Sequence, residues 1–112
     1  MAMNIYQNEG IAVVVPGVSR LDASCADGLR TTLKTAMDSA NTALVLDLDS
    51  VNLVDSTILG VVVGVFRDLP EGRNLVLCTV SENVASLLHL TYLDRILSVY
   101  TSREEALAAL AH

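Results

Sequence analysis

Two apolar runs separated by a polar junction dominate the hydrophobic pattern of this chain. Thr42 to Leu48 is apolar almost throughout, the pattern of a strand buried on both faces. Ile58 to Phe66 is also apolar but has two readings. Its four valines favour a strand. Its length, the cap-type residues Asp55-Ser56-Thr57 before it and Arg67-Asp68-Leu69-Pro70 after it favour a helix, and we read a helix. Gly60 and Gly64 then share one face, expected to let the helix backbone approach a sheet, at about 1 kcal/mol of helix propensity each. Such a helix is apolar all round, more than one sheet-facing stripe requires, so some of its side chains are expected to meet a second helix or a partner.

The remaining pattern supplies the other elements. Met3–Tyr6 and Ile11–Val15 are short strand-like runs around Asn8-Glu9-Gly10, which predicts a hairpin with Gly10 in the turn and Pro16-Gly17 closing the second strand. Ala26, Leu29, Leu33, Ala36 and Met37 recur at helical spacing within residues 23–40, with Asp22 or Ser24 as the cap. Pro70-Glu71-Gly72 is a turn and residues 74–80 a second buried strand. Ser81-Glu82-Asn83 opens a helix to about Leu90, and residues 96–100 form an edge strand. Thr101 to Glu104 reads as a T-x-x-E capping box before a last helix ending near Ala111. The order β-β-α-β-α-β-α-β-α predicts an α/β fold: a mixed sheet packed with about four helices, an antiparallel opening pair preceding parallel crossovers.

Composition narrows the function. A chain of 112 residues with 52% apolar residues forms one domain, 1–112, with a real core, and 4% aromatics makes that core aliphatic. A net charge of −6 with only 7 scattered basic residues argues against nucleic acid and anionic lipid as partners. Cys25 and Cys78 read as two buried thiols in a reduced cytosol. The N-terminus has neither the basic start nor the apolar core of a signal peptide, and the longest apolar run is about half of the ~20 residues of a membrane span. The expectation is a cytoplasmic protein, monomeric or weakly dimeric.

Chemistry of its own is not expected. His89 lies among leucines and His112 is the last residue, with no Cys or carboxylate at ligand spacing, so no metal site is expected. No glycine-rich phosphate loop suggests a cofactor, and Ser56 has no histidine partner to activate it. The junction itself can do something else. Small hydroxyl residues at a helix start lie where backbone donors and the helix dipole favour added negative charge, so a hydroxyl there can carry a phosphate without disrupting the fold.

Four segments together resemble the STAS domain, named for sulfate transporters and anti-sigma factor antagonists. Ser19-Arg20-Leu21-Asp22-Ala23 is similar to the family's G-R-L-D-A. Val45-Leu46-Asp47-Leu48 followed by Val54-Asp55-Ser56-Thr57-Ile58-Leu59-Gly60 resembles its apolar strand and D-S-[ST]-G-L-G. The segment from Val84 to Leu93 resembles a helix ending in L-T-G-L, and Ser102 to Leu107 resembles the S-x-E-E-A-L that opens the last helix. The length resembles the standalone anti-sigma factor antagonists.

That resemblance implies a non-enzymatic, phosphorylation-switched binding module. Thr57 would be the phosphoacceptor, with Ser56 as second choice, and Asp55 the motif's carboxylate. The partner surface would comprise Asp22, Asp55, Ser56, Thr57, Ile58, Leu59, Val61 and Val62. The implied partners are an anti-sigma factor kinase (a histidine-kinase-like ATPase), which the unphosphorylated form binds so that a sigma factor is released, and a serine/threonine phosphatase. The alternative is a STAS subunit or scaffold of a lipid-transport ATPase or a stress-signalling assembly. The chain departs from the pattern at Ser19, Ile58 and Tyr92, where the family has Gly. At Ile58 the turn into the helix cannot use a left-handed backbone cheaply.

Overall fold

A computed structural model describes residues 3–40 and 42–111. The hairpin forms as the pattern predicts. Strands β1 (Met3–Asn8) and β2 (Ile11–Pro16) pair antiparallel around Glu9-Gly10, whose φ values of 51° and 85° make the mirror-image turn that two-residue hairpins use. A two-residue strand β3 (Arg20–Leu21) and a 3-10 turn (Ala23–Cys25) then lead into α1 (Ala26–Ser39). Strand β4 (Ala43–Asp47) is buried at all five positions. A second short strand, β5 (Leu53–Val54), precedes α2 (Ser56–Arg67). The chain continues through β6 (Asn74–Cys78), α3 (Glu82–Leu90), a 3-10 turn (Leu93–Arg95), β7 (Val99–Tyr100) and α4 (Arg103–Leu110).

The main sheet has strand order β1-β2-β4-β6-β7, parallel except for β1. Alternation along its strands assigns each side chain to a layer. Ala12, Val14, Leu44, Leu46, Leu75 and Leu77 meet α1, α2 and α3 in the larger core, whereas Val13, Val45, Val76 and Cys78 meet Ala106, Leu107 and Leu110 of α4. Among the described residues one charged side chain is buried. Asp47, 3% exposed at the end of β4, accepts a 2.8 Å hydrogen bond from Arg103 Nε and so ties α4 to the sheet.

Several local expectations are corrected. Strands β3 and β5 were not foreseen, since two residues carry no periodicity. The predicted edge strand over residues 96–100 shortens to Val99–Tyr100, because Leu97 turns into the core at 1% exposure. The last cap is displaced by one residue. Ser102 accepts from the Glu105 N–H at 3.0 Å, and Glu105 reaches back to the N–H and hydroxyl of Thr101. Gly60 and Gly64 face outward rather than towards the sheet: a Cβ added at either would meet nothing within 4 Å. Tyr92, where the family pattern has Gly, does take the left-handed backbone, at φ 61°. His112 lies outside the described residues.

Candidate functional site

The site is assembled by the two short strands. The Ser19 carbonyl accepts from the N–H groups of Asn52 (2.7 Å) and Leu53 (3.3 Å), and the Leu21 carbonyl accepts from Asp55 N–H at 3.2 Å. Parallel pairing of β3 with β5 thereby lays Arg20-Leu21-Asp22 beside Leu53-Val54-Asp55 and brings the starts of α1 and α2 together. Asp55 then joins them. Its Oδ1 accepts from Ile58 N–H at 3.0 Å, capping α2, while its Oδ2 accepts from Ala23 N–H at 3.0 Å, at the 3-10 turn that enters α1. One carboxylate satisfies orphan donors of two elements.

Asp22 is engaged in its own turn. Its Oδ1 accepts from both the hydroxyl and the backbone N–H of Ser24, and Arg20 Nε lies 3.4 Å from Oδ2. The Ser24 hydroxyl, then the Ser24 N–H, and the Arg20 charge hold its carboxyl below the usual carboxylate range. Both acids expected at a partner surface therefore serve as caps, and Asp55 has both oxygens committed inside the fold.

Four expected partner contacts are corrected outright. Ile58, Leu59, Val61 and Val62 are 1%, 8%, 4% and 4% exposed and belong to the larger core. The sheet, α1 and the neighbouring loops take up most of the helix's wide apolar face, leaving Val63 partly exposed. Ile58 adopts an ordinary backbone, and its side chain fills the core, so the family's glycine is not needed for the turn.

What remains outside on α2 is a stripe made mostly of small and polar residues: Ser56, Thr57, Gly60 and Arg67 are exposed, with Val63 and Gly64 partly so. Ser56 and Thr57 occupy the first two helical positions. Among the described residues neither their hydroxyls nor their backbone N–H groups have a protein hydrogen-bond partner. The structure thus brings Asp22, Asp55, Ser56 and Thr57 to one place. It adds Arg20, Ser24, Cys25, Asn52 and Leu53, which border a shallow depression beside them with a cavity volume of about 470 Å³. The S-R-L-D segment was the sequence signal for this neighbourhood, but its pairing with residues 53–54 was not readable. Among the described residues no group of three His, Cys, Asp or Glu side chains could hold a metal ion, and no helix is long and apolar enough to cross a membrane.

These features define a small α/β domain whose distinctive surface is an exposed, hydroxyl-bearing helix start held in place by a half-buried carboxylate bridge. The chain belongs to the STAS domain family, whose model matches residues 2–106. Solved structures with this fold include an anti-sigma factor antagonist from Mycobacterium paratuberculosis (TM-score 0.90, 21% identity, covering 99% of this chain and 94% of that one). The anti-sigma factor antagonist SpoIIAA in its unphosphorylated form is similar at TM-score 0.80 and 22% identity, over 98% and 96% of the two chains. A sulfate transporter family protein from Wolinella succinogenes follows at 0.79 and 18%, over 93% and 87%. At these identities the likeness is one of fold.

Proposed function

We propose that this chain is an anti-sigma factor antagonist, a binding module without a reaction of its own, switched by phosphorylation of Thr57. The observation that carries the reading is the state of that hydroxyl: exposed, unbonded, and on a helix whose capping is already done by Asp55. A threonine kept as a structural cap would be bonded to the second or third residue after it. Thr57 is free for modification instead.

The unphosphorylated form binds an anti-sigma factor that is itself a serine/threonine kinase of the histidine-kinase-like ATPase class, and so releases a sigma factor. A serine/threonine phosphatase resets the switch. Phosphate adds about −1.5 to −2 charge and three acceptor oxygens. The unpartnered N–H groups and dipole of α2 receive that charge favourably, by roughly 0.3–1 kcal/mol, so the fold need not rearrange. The effect falls on the partner, which must desolvate a dianion at a surface made mostly of small, uncharged groups. Loss of about 3–4 kcal/mol there weakens binding a hundredfold or more.

The test is intact mass before and after incubation with ATP and the kinase, with site mapping, together with kinase binding by Thr57→Ala and Thr57→Glu. One phosphate on Thr57, tight binding by Thr57→Ala and weak binding by Thr57→Glu are expected. Equal binding by both variants refutes the switch. A second reading has its own support in the apolar groove of Leu53, Val54, Leu87 and Leu90, which suits a permanent contact inside an assembly such as a lipid-transport ATPase or a stress-signalling scaffold. There, Leu90→Asp would abolish complex formation and Thr57→Glu would leave it unchanged.

A further inference from the structure

The two edges of the main sheet are unlike. The edge at β7 is two residues long, which is one way a fold avoids unwanted strand pairing. The edge at β1 has none of the usual protections. It runs six residues, Met-Asn-Ile-Tyr-Gln-Asn, with no charge, no proline and no bulge in its register with β2. Asn4 to Asn8 are all exposed, Ile5 by 37% and Tyr6 by 48%, and among the described residues no other segment pairs with the outer side of this strand.

The strand is also held ready. On one face Gln7 Nε2 donates to Ser39 Oγ at 2.9 Å, and on the other the Arg103 guanidinium stands 5.5 Å from the centre of the Tyr6 ring. The turn fixes which backbone groups are free. A two-residue hairpin closes on a hydrogen-bonded pair, here Asn8 with Ile11, so Tyr6 and Asn4 also bond to β2. The N–H and C=O groups of Met3, Ile5 and Gln7 then point away from the sheet.

We infer that β1 is a homodimerisation edge, and that its occupant is β1 of a second copy, paired antiparallel about a twofold axis. Charge selects the copy as occupant. A twofold contact sets each surface against itself, and in a chain of net charge −6 most surfaces would then oppose like charges. β1 is an uncharged strand, so its self-pairing brings no like charges into the ladder. With the axis at Ile5, Met3 of each copy opposes Gln7 of the other, and about six backbone hydrogen bonds form across the junction. The result is one continuous sheet of ten strands, five from each copy. The net charge of the two copies opposes association at long range, so raised salt strengthens this dimer. The inference is independent of phosphorylation at Thr57.

Sedimentation of the full chain over a concentration series at low and raised salt tests it, alongside residue-resolved amide exchange. The expected result is a monomer–dimer equilibrium, tightened by salt, in which the Met3, Ile5 and Gln7 amides exchange more slowly as concentration rises while those of Asn4, Tyr6 and Asn8 do not change. Ile5→Pro removes only an outward-facing N–H, so it keeps the hairpin and weakens the dimer at least tenfold. A monomer up to about 1 mM overturns the inference. So does a dimer that Ile5→Pro leaves intact, or one whose exchange pattern does not alternate along β1.

Discussion

Replacing Asp55 by alanine removes the one side chain that joins the starts of α1 and α2. Loss of the cap on Ile58 N–H costs about 1 kcal/mol. The Ala23 N–H loses a charged acceptor, but Ala23 is exposed and water takes its place, so this adds only about 0.5–1 kcal/mol. Removing a negative charge from the N-terminus of α2 overlaps with the first of these and adds a few tenths. The expected loss is about 2 kcal/mol, a fall in Tm of roughly 6–12 °C for a domain of this size. Asp55→Asn retains an acceptor for Ile58 N–H but turns an amide group or a lost contact towards Ala23, so about 1 kcal/mol is expected.

Urea unfolding followed by circular dichroism reads both variants, with an unchanged m-value confirming that stability alone has moved. Asp55→Ala within about 0.5 kcal/mol of the parent, or Asp55→Asn less stable than Asp55→Ala, would refute the bridging role. The measurement also matters for binding work, since a destabilised Asp55 variant that fails to bind says nothing about contact between Asp55 and a partner.

Other expectations follow from the same geometry. Gly64→Ala and Gly60→Ala should each raise stability by about 0.5–1 kcal/mol in thermal melts, because the added Cβ meets open space and the helix gains propensity; a loss would mean the glycines are packed against something in the monomer. Arg103→Met leaves Asp47 buried without its cation and should cost about 2 kcal/mol or more by urea unfolding, less than a fully buried pair because Arg103 is 37% exposed. A cost below about 0.5 kcal/mol would show that α4 is held by its apolar contacts alone. Burial pushes the Cys78 thiol up to about 11, with the Asp47 charge a lesser cause in the same direction. Its folded value lies above its unfolded one, so its contribution to stability is full below about pH 9 and is lost as pH rises towards 11; Cys78→Ala should flatten that part of the stability–pH profile. An identical slope in the variant would refute this.

The order of elements and the mixed sheet were legible because long periodic segments and caps carry strong signals. α2 shows this best: valines argued for a strand, but Asp55-Ser56-Thr57 before the run correctly indicated a helix start. The site was legible only in part. Spacing put Gly60 and Gly64 on one face without revealing which neighbour that face meets. Apolarity all round α2 suggested a partner, whereas the structure supplies enough core for Ile58, Leu59, Val61 and Val62. The β3–β5 pairing depends on backbone bonds from Ser19 and Leu21, which leave no trace in side-chain pattern.

Those corrections bear on how a switch can work on this fold. Had the large apolar residues of α2 formed the contact surface, a phosphate at Thr57 would compete with a wide hydrophobic interface, and one dianion at its margin would shift affinity little. With those side chains buried, the outward stripe along α2 offers a partner mainly hydroxyls, glycine backbone and Arg67, with the partly exposed Val63 as its one sizeable apolar side chain among the described residues. Such a contact depends on close approach, because small residues contribute little area each. Close approach is what a phosphate prevents, both by bulk and by the cost of desolvating its charge. On the proposed switch, the Asp55 bonds to the Ile58 and Ala23 N–H groups would hold the helix start in both states, so that modification would change the surface and leave the core as it is.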